Sequence, residues 1–353
     1  MPLLIVAIAL ILVSVAIVSA YVGWLMTAKR RVISAAEFED RVLVVVPVFD
    51  EASLIDRKLE NLTQLEGAER IVLVDGGSTD GTLDRIRSLL ATHPRIELLE
   101  TQHRDKTAQL NHALRVHADA EWILVTDADA LLGTDTLRRL KRVVAEDVGV
   151  VGASVRPAEA HALESLHWRV TDWLRDREWD RGSAGIVAAP CYLARREFLE
   201  EMPPDTLADD VHVACRAMAA GKRVAHADAT VTELRSPRTL TALLRHKYRK
   251  ADAYLREIVR FLPAVPRVPS PMRAIFLWRA VLLTIVPLVA VAGCAALVVS
   301  NWLTLLGALL LIVRRDLALA VMLGVVSAAA FVMYPFSRQT ASFPKILEPS
   351  EDR

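Results

Sequence analysis

The sequence has few cysteines and almost no net charge. Its three cysteines show no metal-ligand spacing and form no disulfide framework, so we expect Cys191, Cys215 and Cys294 to be reduced, buried and part of a protein facing a cytosol. The 43 lysines and arginines are balanced by 42 acidic residues. A nucleic-acid-binding protein would show a basic excess, so the sequence gives no support to such a partner.

Hydrophobic residues, in contrast, are abundant. They make up 53% of the 353 residues, which is high for a soluble protein of this charge content. Residues 3–26 carry no charge and are enough to span a bilayer. Lys29, Arg30 and Arg31 follow this run, whereas a cleaved signal peptide would carry its positive charge before it. We therefore predict an uncleaved anchor whose basic end is cytoplasmic.

The carboxyl-terminal part is also apolar. Residues 274–300 and 317–336 are each long enough to cross a membrane, whereas 302–313 is short and is either a third crossing or re-entrant. We favour three crossings, with Arg314 and Arg315 on the cytoplasmic side. These segments lack paired charges and polar pathways, which argues against a small transporter.

The middle of the chain alternates between predicted strands and helices. The strands are expected at 42–48, 71–74, 96–99, 122–126 and 148–155, and helices between them at 82–91, 107–117 and 135–146. This alternation predicts an α/β domain with a doubly wound, mostly parallel sheet.

Residues 240–262 have a helical apolar stripe opposite a basic face. Such a helix next to membrane segments fits the membrane interface, and packing on the domain core is an equally good interpretation. We thus expect an anchor at 1–27, a catalytic domain at 40–235, an interface helix and Pro-rich linker at 236–272, membrane helices at 273–337 and a tail at 338–353.

Two carboxylates, Asp127 and Asp129, directly follow the strand at 122–126. A parallel sheet binds its ligand beyond the carboxyl ends of its strands, so both are expected at a ligand site. Hard oxygen donors there suit Mg²⁺ or Mn²⁺ that also holds phosphates. The alternative for this pair alone is a solvated turn.

Further motifs follow the other strands, and together they carry a resemblance. They are VVVPVFDE at 44–51, IVLVDGGSTDGT at 71–82, KTAQLNHAL at 106–114, VTDADALL at 125–132, SAGIVAAPCYLARRE at 183–197 and LADDVHVACRAMAAGKRVAHADA at 207–229. In this set the chain resembles the membrane-anchored, inverting family 2 glycosyltransferases of the GT-A fold. The similarity is to the branch that includes cellulose, hyaluronan and poly-N-acetylglucosamine synthases.

The resemblance implies a role for individual residues. Glu51 and Asp75 would contact the nucleotide of a nucleotide-sugar, which we expect to be a UDP-sugar, in a pocket shaped by Pro47 and Val48. Lys106 and Asp127 would line the same side, Asp127 and Asp129 would hold the metal on the diphosphate, Arg249 would meet the diphosphate charge, and Asp210 would be the general base. Independently, Asp209 and Asp210 can raise one another's pKa, and they also suit a helix amino terminus.

The sequence departs from the resembled pattern at two positions. Gly76 stands where the family usually has a second aspartate, and Lys250 stands where synthases carry a tryptophan that helps to hold a growing polysaccharide. Gly76 is a mild variant that retains Asp75, whereas Lys250 puts processive synthesis in doubt but not sugar transfer. The acceptor is expected to be a lipid or a polysaccharide. The resemblance implies a multi-pass enzyme of a bacterial-type plasma membrane with a cytoplasmic catalytic domain. The competing hypothesis is an inactive nucleotide-sugar-binding or assembly subunit.

Overall fold

A computed structural model describes residues 2–31, 41–90, 92–300 and 314–337. The expected short apolar segment at 302–313 and the tail at 338–353 lie outside the described residues. The strands are β1 Val42–Val48, β2 Arg70–Asp75, β3 Ile96–Glu100, β4 Trp122–Thr126, β5 Ala130–Leu132, β6 Val148–Pro157, β7 Cys191–Arg195 and β8 Arg223–Glu233.

The helices surround this sheet and also form the segments before and after the α/β domain. They are α1 Pro2–Met26, α2 Ile55–Thr63, α3 Thr82–Leu90, α4 Lys106–Val116, α5 Thr136–Lys141, α6 Ala162–Arg181, α7 Arg196–Leu199, α8 Asp209–Ala219, α9 Leu240–Phe261, α10 Met272–Leu283, α11 Ile285–Ser300 and α12 Arg315–Met333. A 3₁₀ turn at 262–267 connects α9 to the last group.

The eight strands form one sheet in the order β3-β2-β1-β4-β7-β6-β8-β5. Strands β3, β2, β1 and β4 are parallel, and β6 and β8 are parallel to each other. Strand β7 runs antiparallel to both β4 and β6, and β5 runs antiparallel to β8. The predicted α/β class and mostly parallel sheet are confirmed.

The antiparallel strand β7 positions the site. Because its direction is reversed, its first residues lie beside the carboxyl end of β4, with Thr126 opposite Cys191. The Asp127 amide then donates to the Pro190 carbonyl across 3.2 Å. The segment 188–191 thereby forms a wall next to the two aspartates that follow β4.

The predicted elements differ from the structure in several places. The helix expected at 135–146 ends at Lys141. Strands β5, β7 and β8 and the 20-residue helix α6 were not predicted. Of the cysteines, Cys191 and Cys215 are buried, but Cys294 is exposed on α11, so its expected burial is wrong.

Helix α9 packs on the domain instead of presenting one uniformly basic surface. His246 and Lys247 are buried, and Lys247 pairs with the buried Glu164 of α6 at 2.6 Å. At the other end of the helix, Glu257 lies 2.8 Å from His212 of α8. The predicted basic face is thus partly enclosed, because Glu164 of α6 compensates the charge of the buried Lys247.

Three described helical segments are long and apolar enough to cross a membrane: Pro2–Met26, Met272–Ser300 and Arg315–Met333. The first packs against the second, since residues of α1 enclose Gly293 of α11. The chain after α1 then docks on the end of α6, where Arg31 stacks over Trp179 at 4.7 Å from the ring centroid. The membrane-type helices and the α/β domain are therefore in direct contact.

Candidate active site

One cavity of about 560 Å³ opens at the carboxyl ends of β1 and β4. Most of the site residues that were predicted from the sequence line this cavity. Those that line it are Pro47, Val48, Glu51, Lys106, Asp127, Asp129, Asp210 and Arg249. Side chains from two strand ends, two helix starts and the middle of α9 thus converge on one space, as expected for a sheet of this type.

Asp75 is the nominated residue that does not line this cavity. Its buried carboxylate accepts hydrogen bonds from the amides of Gly77 and Ser78, both at 2.9 Å, and from the Ser78 hydroxyl. It therefore folds the loop after β2. A side chain at Gly76 would collide with Gln109 and the His103 carbonyl, so the departure from the family pattern at that position has a steric cause.

The Asp127–Asp129 turn is supported from below by a buried lysine. Lys58 of α2 is fully buried and donates to the Thr126 hydroxyl at 3.0 Å and to the Ala130 carbonyl. Burial lowers its pKa to about 8, although Asp127 and Asp129 oppose that shift. Lys58 was missed in the sequence because a lysine in an amphipathic helix gives no sign of its burial.

Asp129 is the carboxylate that an added cation would stabilise most. Burial first, and then the nearby carboxylates of Asp127, Glu233 and Glu51, raise its pKa to about 7 against the opposing effect of Arg235. Among the described residues there is no group of three or more His, Cys, Asp or Glu side chains suited to a metal. The pair fits a Mg²⁺ or Mn²⁺ ion that takes its other ligands from phosphates and water.

Lys106 links Asp127, which follows β4, to Asp209 at the start of α8. Its ammonium lies 2.7 Å from Asp127 and 3.0 Å from Asp209, at the start of α4. Burial lowers its pKa, but the two carboxylates raise it more, and the pKa is held above its ordinary value. Lys106 is therefore a permanent positive charge between the two acidic sites.

Asp209 and Asp210 begin α8 and differ in their surroundings. Asp209 is buried and accepts a hydrogen bond from the Tyr192 hydroxyl at 2.6 Å, in addition to its pairing with Lys106. Asp210 is half-buried and lines the cavity. Burial and the Asp209 charge raise the pKa of Asp210 to about 6, while Lys106 and Lys250 lower it. Asp209 is thus engaged in contacts within the protein, whereas Asp210 has the character of a base near neutral pH.

Sequence reasoning also missed Arg235, which follows β8. Arg235 pairs with Glu51 and donates to the Ser53 hydroxyl at 3.0 Å, so it ties the end of β8 to the end of β1. A contact across 184 positions of sequence leaves no local signal. The same holds for Tyr192 and its bond to Asp209.

The far end of the cavity reaches the membrane-type helices. Leu282 and Leu283 of α10 and Leu323, Val326 and Ser327 of α12 line it together with the acidic residues. Arg249 and Lys250 of α9 line the same cavity. A single space therefore connects a polar, acidic region to an apolar one.

The glycosyl transferase family 2 model matches residues 43–228, more than half of the chain. The chain belongs to glycosyl transferase family 2. The match ends within β8 and includes every nominated residue except Arg249. The chain is thus a glycosyltransferase, as predicted.

Two similar proteins extend this assignment. The first is the succinoglycan biosynthesis protein ExoA of Rhizobium meliloti strain 1021, 34% identical over 116 residues. That alignment covers 31% of this chain and 33% of ExoA, so this chain matches only about a third of its length. The second is the mannosyltransferase PcManGT of Pyrobaculum calidifontis, solved with GDP-Man and Mn²⁺. It is 25% identical, with a TM-score of 0.81 over 96% of this chain and 100% of that one.

Proposed function

We propose that this chain transfers a sugar, with inversion, from a nucleoside diphosphate sugar to a lipid-borne acceptor at a membrane. The observation that carries the proposal is the continuous cavity, with Asp127, Asp129 and Asp210 at one end and residues of α10 and α12 at the other. A soluble acceptor needs no apolar wall from membrane-type helices. A lipid acceptor does, because its hydrophobic part must remain near the bilayer.

The donor is proposed to bind at the acidic end. Pro47, Val48 and Glu51 form the wall for the nucleotide, and Asp127 and Asp129 would hold a Mg²⁺ or Mn²⁺ ion that offsets the charge on the departing diphosphate. The Mn²⁺ in the PcManGT structure supports this assignment. That structure contains GDP-Man. GDP-mannose is therefore a candidate donor in addition to the UDP-sugars expected from the sequence.

Asp210 is proposed to act as the general base. An acceptor hydroxyl attacks the anomeric carbon from the side opposite the diphosphate, the bond to the diphosphate breaks, and Asp210 takes the hydroxyl proton. Lys106 keeps Asp209 paired, so the two adjacent carboxylates differ in charge environment. The nucleoside diphosphate leaves with the bonding electrons, and the configuration at the anomeric carbon inverts.

The acceptor is proposed to be a lipid that carries the growing saccharide. The name of ExoA refers to succinoglycan, a polysaccharide, which supports a role for this chain in building such a polymer. Lys250 and the apolar cavity end support a lipid-borne acceptor receiving one sugar per encounter. We also place the catalytic domain in the cytoplasm of a multi-pass plasma membrane protein. A reporter fused at residue 120 should report a cytoplasmic position, and an extracytoplasmic readout would contradict this topology.

The test is transfer by the purified full-length protein. It is incubated with radiolabelled UDP-glucose, UDP-galactose, UDP-N-acetylglucosamine or GDP-mannose, each with Mn²⁺ and a membrane lipid extract, and label in the organic phase is counted. We expect one donor to label the lipid fraction, with no labelling by the Asp210→Asn variant. Donor binding without transfer from any donor would instead favour the inactive binding or assembly subunit.

A further inference from the structure

The cavity also contains cationic and hydrogen-bond-donating groups that take no part in the proposed donor binding or proton transfer. They come from α6 and α9 and line the same cavity as the acidic residues and the membrane-type helices. Arg175 is 2% exposed and Trp168 is 5% exposed, and both line the cavity. Lys250 lines it beside them.

Two of these side chains have a buried nitrogen with no hydrogen-bond partner among the described residues. These atoms are Nη1 of Arg175 and Nε1 of Trp168. Buried donors are nearly always paired in folded proteins, and each exception needs an explanation. Both side chains line the cavity, and a ligand that supplies acceptor oxygens there would satisfy these donors.

The charge balance points to an anionic ligand. Lys247 is neutralised by Glu164 at 2.6 Å, and Arg175 is partly neutralised by Asp172 at 3.2 Å. Lys250 forms no ion pair with any described carboxylate within 4.0 Å. Its ammonium instead lies 5.2 Å from the centre of the Trp168 ring, a cation–π contact that leaves its own donors available.

We propose that Arg175, Trp168 and Lys250 form a phosphate-binding subsite for the acceptor, separate from the place where the donor diphosphate binds. Phosphate supplies several strong acceptor oxygens and pairs well with a guanidinium and an ammonium. Asp210 and the apolar residues of α10 and α12 line the same cavity. A phosphate held here places the head of a lipid near the base and its hydrocarbon chain toward the membrane. This inference rests on the proposed lipid acceptor and makes the phosphate a binding group, not the nucleophile.

Binding measurements on the full-length protein in one detergent test the subsite without turnover. Farnesyl phosphate, farnesol and inorganic phosphate are the probes, and donor affinity is measured separately with radiolabelled nucleotide-sugars. We expect farnesyl phosphate to bind at least tenfold more tightly than farnesol, as typical for a charge-assisted hydrogen bond. It should also bind more tightly than inorganic phosphate, because the tail adds apolar contact.

Substitutions locate the binding to the proposed groups. Lys250→Met should reduce the preference for farnesyl phosphate about tenfold, Lys250→Arg should retain most of it, and Trp168→Phe should weaken it while retaining the aromatic face. Arg245→Met is the matched control, because Arg245 is exposed on the same helix. Donor affinity should not change in any of these variants.

Three results would overturn the inference. Equal affinity for farnesyl phosphate and farnesol would show that no phosphate site exists. Inorganic phosphate binding as tightly as farnesyl phosphate would assign the groups to a free anion. Loss of donor affinity in Lys250→Met, with farnesyl phosphate binding unchanged, would assign them to the donor diphosphate. A chain that binds farnesyl phosphate but transfers no sugar would disprove the proposed function while leaving the subsite intact.

Discussion

The Lys106 ammonium lies 2.7 Å from a carboxylate oxygen of Asp127 and thereby links the start of α4 to the turn after β4. It also lies 3.0 Å from Asp209, so one cation compensates two carboxylates that belong to different parts of the proposed mechanism. The acidic end of the cavity is assembled around this lysine.

Replacing Lys106 should therefore cost stability as well as donor binding. Lys106→Met leaves Asp127 and Asp209 without their cation, and breaking a buried ion pair on one side typically costs about 3–5 kcal/mol. Thermal unfolding in detergent measures the loss. Lys222→Met serves as the control, because Lys222 contacts only a backbone carbonyl at an exposed site. Equal melting temperatures for the two variants would contradict the bridging role.

Asp129→Asn should weaken metal-dependent donor binding. The substitution retains size but removes one of two charges available to a divalent cation, and Mg²⁺ takes few protein ligands in such sites. Nucleotide-sugar affinity is measured with Mn²⁺, with Mg²⁺ and with chelator. Wild-type affinity that is the same with and without chelator would exclude the metal assignment.

Asp210→Asn should lower turnover about 10²–10⁴-fold with little change in donor affinity, as expected for loss of a general base. Asp209→Asn should chiefly lower stability, because Asp209 is engaged by Tyr192 and Lys106. Turnover, donor affinity and melting temperature are compared for both. A dead Asp209→Asn with an active Asp210→Asn would identify Asp209 as the base. Full activity in both variants would show that Asp209 and Asp210 only stabilise the amino terminus of α8.

Activity should depend on pH through Asp210. Its pKa is raised to about 6, and a base acts only when deprotonated, so the rate should fall as pH decreases through about 6 and level off above it. Below that pKa the fall approaches tenfold per pH unit. The rate is measured at saturating donor between pH 5 and 8. An unchanged rate down to pH 5 would be incompatible with this assignment.

Glu178→Gln should loosen the contact between the catalytic domain and the membrane-type helices. Glu178 is fully buried, accepts from the Gly185 amide at 2.8 Å and from Tyr21 of α1, and pairs with Arg279 of α10 at 2.7 Å. The substitution leaves that guanidinium without its counter-charge. Limited proteolysis should become faster than in Glu197→Gln, whose side chain is exposed. Equal rates of proteolysis in the two variants would show that the contacts of Glu178 do not hold the catalytic domain against the membrane-type helices.

The part of the fold that the sequence predicted is the part with continuous apolar runs. Strands β1, β2 and β4 are buried on both faces, so their residues carry a local signal. Strand β8 alternates and contains His226 and Asp228, and α6 buries Glu164, whose partner Lys247 lies far away in sequence on α9. Their burial depends on tertiary pairing, which no local pattern shows.

The candidate site divides in the same way. Asp127, Asp129 and Asp210 occupy strand ends and a helix start, positions that a topology rule can identify. Lys58, Tyr192 and Arg235 act through contacts made across the sheet, and the sequence gives them no distinguishing context. Asp75 lies in a recognised motif, yet its carboxylate is used within its own loop.

Arg279 belongs at once to the cavity wall and to the Glu178 cluster that joins α1, α6 and α10. The membrane-type helices therefore do more than tether the catalytic domain, since they complete the wall of its cavity. In the proposed membrane topology, their position sets the distance between Asp210 and the bilayer surface. Acceptors whose hydrocarbon chains differ in length would then present the same atoms to the base, and selection would act on the head group.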